Sequence, residues 1–316
     1  MAMATCCAAL LAVRLVGAQA PPAVRSLRIT ILSTMLADEG IGEWGFGALV
    51  EVDGRRILYD TGARPETVLQ NARELGIDLS SVREVILSHN HADHTGGLVT
   101  LRRELAKKNP AALSRAHVAS GIFYRRPDNT GTETNTAIAA RHDYEALGGA
   151  VVEHSKPDEI FPGVWLTGPV PRVYPERNWS VTGKVETPSG LVEDTVPEDQ
   201  ALVFDTGRGL VMLSGCAHAG IVNILEYARH IVRAAPIHAA IGGFHLFAAD
   251  DATLDWTAGK LRDMGTQNLL GAHCTGLHTV YYLKDKLGLP RQACLVGAVG
   301  AVFTLDKGIA PGRLAR

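Results

Sequence analysis

Apolar positions from Leu27 onward come in short runs broken by glycine, and this texture predicts strands first. Leu27-Arg28-Ile29-Thr30-Ile31-Leu32 reads as one strand and Ala48-Leu49-Val50-Glu51-Val52 as another. Asp53-Gly54 then turns the chain back into Arg56-Ile57-Leu58-Tyr59-Asp60, which makes a β-hairpin. After it the period changes. Pro65 suits a first helical position, Val68, Ala72 and Leu75 share one face, and Gly76 supplies the stop. A further strand, Val82 to Ser88, is followed by a helix marked by Leu98, Leu101 and Leu105 that ends at Asn109-Pro110.

The second half repeats the scheme. Ala48-Leu49-Val50 recurs as Ala201-Leu202-Val203, Gly54-Arg55 as Gly207-Arg208, and Thr61-Gly62-Ala63 as Ser214-Gly215-Cys216, all at one offset, so a second hairpin and two similar halves are expected. A helix carrying Ile221, Ile224, Leu225 and Val232 follows. Then come a strand Ile237 to Ile241, a helix with Leu254, Ala258 and Leu261, a strand ending at Gly271 and a helix from His278 to Leu287. Hairpins together with strand–helix alternation predict an α/β fold of mixed sheets with helices on their outer faces. Between about residues 120 and 198 prolines accumulate, and this stretch reads as a loop-rich insertion of the kind that borders binding sites.

Composition narrows the function. The 316 residues carry a formal charge of only -2, which offers no electrostatic case for nucleic acid or an anionic membrane and leaves a small-molecule substrate. Past the N-terminus no stretch approaches 18 uninterrupted apolar residues, so no integral membrane span is expected; the oligomeric state is left open. Residues 1–20 run through Ala8-Ala9-Leu10-Leu11-Ala12-Val13 to Ala18-Gln19-Ala20, the pattern of a cleavable secretory signal, with the domain occupying 25–316. Export to the periplasm is the expectation. The absence of Lys or Arg ahead of the apolar run, and Arg14 within it, keep a cytoplasmic location as the alternative. The five cysteines show no paired spacing that would read as a disulfide framework or zinc ribbon.

The chemistry concentrates at Ser88-His89-Asn90-His91-Ala92-Asp93-His94-Thr95-Gly96-Gly97, where three imidazoles and a carboxylate crowd the end of an apolar strand. Alternation at a strand end would point His89 and His91 to one side, and the turn after Ala92 would bring Asp93 and His94 back toward them. Such a set suits zinc, manganese or iron, and two ions about 3.5 to 4 Å apart would share a bridging hydroxide.

His-x-His-x-Asp-His after an apolar strand resembles the signature of the metallo-β-lactamase superfamily, and Ile57-Leu58-Tyr59-Asp60-Thr61-Gly62 looks like that superfamily's early strand and Asp-Thr-Gly turn. The resemblance runs from about Leu27 to Phe303 and implies an αββα sandwich of two mixed β-sheets with outer helices. It implies two divalent metal ions, zinc first and manganese or iron as alternatives, with His89 and His91 on one and Asp93 and His94 on the other. The chain departs from the pattern where a strand and glycine should lead to a bridging aspartate, because Leu210-Val211-Met212-Leu213-Ser214-Gly215 is followed by Cys216. His218 is the replacement ligand, and Cys216 is either a ligand or a small buried thiol. The last ligand is expected at His273, after Asn268-Leu269-Leu270-Gly271. His245, in Gly242-Gly243-Phe244-His245-Leu246, is assigned to the substrate pocket, with metal ligation as the lesser option.

Gly215-Cys216-Ala217-His218-Ala219-Gly220, Gly242 to Leu246, His273-Cys274-Thr275-Gly276 and Glu43-Trp44-Gly45-Phe46-Gly47 resemble a narrower branch, the dihydropterin synthase-like metallo-hydrolases. The expected activity is that of a metal-dependent hydrolase that uses a metal-bridged hydroxide on an ester, lactone or phosphate ester. Asp93 would orient the hydroxide or take its proton, and His245, or Arg172, Tyr174, Arg177 or Trp179 from the insertion, would assist the leaving group. The alternatives are a dihydropterin synthase-like condensing enzyme and a non-catalytic metal-dependent binding or sensing protein.

Overall fold

The two hairpins become the centres of two sheets in the computed structural model, which describes residues 24–179 and 182–313. The expected signal segment lies outside the described residues. Eight strands form the first sheet in the order Gly308–Ala310, Val302–Thr304, Leu27–Ser33, Gly47–Val52, Arg55–Tyr59, Glu84–Ile86, Arg115–Ala119 and Ala150–His154. Seven form the second: Cys294–Val296, Leu269–Gly271, Ile237–Gly242, Gly209–Ser214, Ala201–Thr206, Val164–Leu166 and Asp158–Phe161. In each, the hairpin is antiparallel and its second strand opens a run of parallel neighbours. Both sheets are mixed, as expected, and the halves share one pairing scheme.

The residue echo, however, is one position out of register. Val52 faces Arg55 across Asp53-Gly54, while Thr206 faces Gly209 across Gly207-Arg208, so Gly54 and Gly207 take different places in their turns. The first turn has φ of 45° and 79° at its two central residues, a primed turn that suits Asp-Gly, whereas the second places its left-handed residue at Gly209.

Alternation along each strand divides its side chains between two cores. Val50, Ile57, Leu202, Phe204 and Leu213 meet between the sheets. Leu49 and Leu58 turn outward to Val68 and Leu101 on the helices Thr67–Glu74 and Leu98–Ala106. Val203 and Met212 turn outward to Ile224, Leu254 and Leu283 on the helices Ile221–Ile231, Asp251–Asp263 and Leu277–Leu287. Helix, sheet, sheet and helix make four layers, and each large side chain buried in them contributes about 1.5–3 kcal/mol before ordering costs. That is why these strands read as near-continuous apolar runs.

The stretch 120–198 carries more regular structure than its prolines suggest. It supplies the helix Thr136–Ala146, an edge strand of the first sheet and two strands of the second, together with a separate hairpin, Lys184–Thr187 with Gly190–Glu193. Pro157 and Pro162 bracket the edge strand Asp158–Phe161, where a missing N–H is tolerated, so they punctuate a sheet there instead of marking a loop. Among the described residues no helix is long and apolar enough to cross a membrane.

Candidate metal centre

The histidine and aspartate candidates sit just beyond the C-terminal ends of parallel strands. His89 and His91 follow Glu84–Ile86, and Asp93 and His94 lie in the single helical turn Ala92–Thr95. His218 follows Gly209–Ser214, His245 follows Ile237–Gly242 and His273 follows Leu269–Gly271. The backbone bends sharply to deliver them: Asp60, Ala217, His245 and His273 all have φ between 46° and 54°, a left-handed conformation that costs non-glycine residues energy and that packing must enforce.

The ligand atoms of His89, His91 and His218 lie within 4.8 Å of one another, and so do those of Asp93, His94 and His273. Asp93 Oδ2 stands 3.3 Å from His273 Nε2 and 3.8 Å from His94 Nε2. The rings of His89 and His94 are centred 4.2 Å apart, so the two trios adjoin. His245 is placed against His218, 4.5 Å between ring centres, and also lines a cavity of about 720 Å3 walled by Trp179, Phe247 and Trp256. A second cavity of about 640 Å3 reaches the cluster from the His91 side, past Asn90, Arg126 and Lys184.

Hydrogen bonds behind the cluster fix which ring nitrogen faces inward. Asp60 accepts from the Ser88 N–H and Ser88 Oγ, both at 2.7 Å, and pairs with His94 Nδ1 at 2.7 Å. With its proton given to Asp60, Ser88 Oγ accepts from His89 Nδ1 at 2.9 Å, and His218 Nδ1 donates to the Asn178 carbonyl. This assignment of protons leaves Nε2 of His89, His94 and His218 buried, without a hydrogen-bond partner and directed at the cluster. Several orphaned buried nitrogens would be costly in a purely structural core. They are the donors that a borderline-soft divalent cation requires, so the residues fit a pair of such ions.

Electrostatics keep three of the rings neutral, as cation donors must be, while a cation at His94 has to displace a proton from Nε2. Burial, then the neighbouring imidazoles, holds His89 and His218 well below the ordinary histidine range, and burial takes His91 down to about 4 although Asp93 pulls the other way. Burial also opposes the charged form of His94, but the Asp60 carboxylate outweighs it and lifts His94 to about 9. Asp93 is held well below the usual carboxylate range by His273 and His94 in spite of its burial.

Of the four residues expected from the insertion, Arg177 and Trp179 line the larger cavity. Arg172 is turned to the Thr195 and Val196 carbonyls, and Tyr174 packs on Trp256, so these two serve the fold. Sequence reasoning misses several participants. Asp60 reads only as part of a turn, Cys274 only as part of a motif, and the buried pair Glu198 and Asp199 not at all. Glu198 accepts from Asn90 N at 3.2 Å and from Arg126 at 2.7 Å, which ties the histidine loop to the insertion. Asp199 accepts from Ala219 N at 2.8 Å beside His218, and burial lifts it to about 7. The one signal available is a pair of acids directly ahead of the apolar strand Ala201–Thr206.

This four-layered fold, with its histidine-rich strand ends, defines a class, and the family model for the metallo-β-lactamase superfamily matches residues 47–229; the chain belongs to that superfamily. It is 33% identical to the 7,8-dihydropterin-6-methyl-4-(β-D-ribofuranosyl)-aminobenzene-5'-phosphate synthase of Methanocaldococcus jannaschii, over 73% of this chain and 81% of that protein, in keeping with the dihydropterin synthase-like motifs. Among solved structures it resembles Tm1679, a metal-dependent hydrolase of the β-lactamase superfamily, with a TM-score of 0.71 and 26% identity over 88% of this chain and 98% of that one. Zinc-bound PqqB from Methylobacterium extorquens shares the fold, with a TM-score of 0.53 at 14% identity over 87% of this chain and 99% of that one.

Proposed function

We propose that the chain is a dinuclear metal-dependent hydrolase of an ester, lactone or phosphate ester. The observation that carries this reading is the set of inward-facing, unpartnered Nε2 atoms on His89, His94 and His218, held in that orientation by Ser88, Asp60 and the Asn178 carbonyl. Cations held there, zinc first, would supply Lewis acidity and make a coordinated water acidic enough to act as nucleophile near neutral pH. The chain's own residues do the rest. Asp93, flanked by His94 and His273, stays ionised and orients the attacking group. His245 stands between the cluster and the larger cavity, in reach of a leaving group seated there. Trp179, Trp256 and Phe247 give that cavity flat apolar walls for the body of the substrate.

A second reading, condensation of a dihydropterin with an aminobenzene riboside phosphate, draws on the similarity to the M. jannaschii enzyme and on two cavities meeting one centre. One assay separates the two. The full chain, loaded with zinc or manganese, is offered a panel of phosphodiesters, phosphomonoesters, lactones and thioesters, and in parallel the paired condensation substrates. Hydrolysis that disappears on chelation and in His89→Ala supports the first reading, and turnover of the pair alone replaces it with the second. No turnover of either kind, with metal bound, would count against both.

A further inference from the structure

Cys216 and Cys274 reach the cluster from different strand ends. Cys216 follows Gly209–Ser214, and Cys274 lies in the turn His273–Thr275. Both are buried and free, with sulfurs 3.1 Å apart, well beyond the ~2.05 Å of a disulfide. A buried thiol used as a small apolar residue packs among aliphatic side chains, as Cys294 does in the core of the second sheet. Cys216 and Cys274 belong to none of the three apolar clusters among the described residues. Their surroundings are imidazoles. The Cys216 sulfur lies within 4.8 Å of the ligand atoms of His89 and His94, one from each trio, and it forms two further such groups, with His273 and Cys274 and with His218 and His245. The His245 N–H donates to Cys274 Sγ at 3.3 Å.

We infer that the two cysteines ligate the same centre as thiolates, Cys216 at the junction of the two trios and Cys274 on the Asp93, His94 and His273 side. The inference rests on the metal-enzyme reading and adds soft donors to it. Each sulfur binds as the thiolate, so any proton that the pair carries leaves to solvent as the cation binds. A nitrogen, oxygen and sulfur set prefers soft or borderline divalent cations such as zinc, cobalt or cadmium to manganese or magnesium. Loss of the sulfurs then lowers selectivity among metals and not only affinity.

The test is optical. The full chain, with Cys6 and Cys7 replaced by Ser and reduced by a phosphine instead of a thiol, is loaded with Co(II), and its near-ultraviolet thiolate-to-cobalt charge-transfer band is measured beside the bound stoichiometry. A band is expected that loses part of its intensity in Cys216→Ser, part in Cys274→Ser and all of it in the double variant, while Cys294→Ser leaves it unchanged. In competition, the double variant is expected to lose the preference for cadmium over manganese. Cobalt bound by the folded parent chain with no such band would overturn the inference and leave the metal centre standing, and so would a full-intensity band in Cys274→Ser. Failure of the parent chain to bind cobalt at all would overturn both. Because the parent's band is itself decisive, a variant that does not fold does not rescue the idea.

Discussion

Asp60 shows how much of this site depends on residues that point away from it. Its carboxylate takes the Ser88 N–H, the Ser88 hydroxyl and His94 Nδ1, and through Ser88 it also orients His89. Asp60→Asn replaces one acceptor oxygen with a donor and removes the charge that lifts His94, so cation affinity should fall by about 10–100-fold, the usual cost of losing such a support. Cation titration would check this, and an unchanged dissociation constant would refute the orienting role. At this scale the sequence is informative where the ligands are dense. Three histidines and an aspartate within six positions can be read directly, and His218 and His273 follow from their places after apolar strands. Asp60, Asn178 and Glu198 cannot be read so, because each acts through a partner 28 to 108 positions away along the chain.

Elements bring those partners together, and their close approach makes specific demands. At Gly242, with φ of 112°, an added Cβ would lie 1.9 Å from the Ser214 carbonyl oxygen on the neighbouring strand. Gly242→Ala should therefore destabilise the protein by roughly 3 kcal/mol or more, combining backbone strain with a main-chain clash. Denaturant titration would detect it, and a loss under about 1 kcal/mol would mean that the two strand ends are not so closely packed. The first sheet carries a pH-sensitive edge. Glu84 pairs with His117 at 3.0 Å, His117 with His154 at 2.9 Å, and His154 with Asp158 at 3.1 Å. Burial, then His117, lowers the proton affinity of His154, while Glu84, despite its burial, is held low by His117 and Arg115. A histidine that protonates less readily when folded favours the folded state above about pH 6.5, and stability is lost as the pH falls below that value. Glu84 adds a loss of the same sign at lower pH. In metal-free protein, the unfolding midpoint should fall between about pH 7.5 and 5.5, and by less in His154→Asn. An equal fall in both proteins would show that His154 does not carry the effect. These strands and helices are largely legible from period and punctuation. The edge strands on either side of Pro157 are not, since short strands next to prolines look like turns until a neighbouring strand pairs with them.

At the scale of the whole molecule, two similar halves hold one candidate site between their strand ends, with the candidate ligands shared. Asp93 and His94 come from the first sheet and His273 from the second, and His89 and His91 from the first meet His218 from the second. A cation bound across that seam would tie the halves together, so chelation should lower the thermal midpoint; a free cation at about 1,000 times its dissociation constant corresponds to about 4 kcal/mol. The four-layered fold can be read from the chain because its halves repeat, whereas the exact match of their turns cannot, since the hairpins differ by one residue in register. The most direct test is a crystal of zinc-loaded protein measured at wavelengths on either side of the zinc absorption edge. Two anomalous peaks are predicted, one among His89, His91 and His218 and one among Asp93, His94 and His273. Peaks absent from both trios, or found only at surface residues, would contradict a metal centre built from these residues.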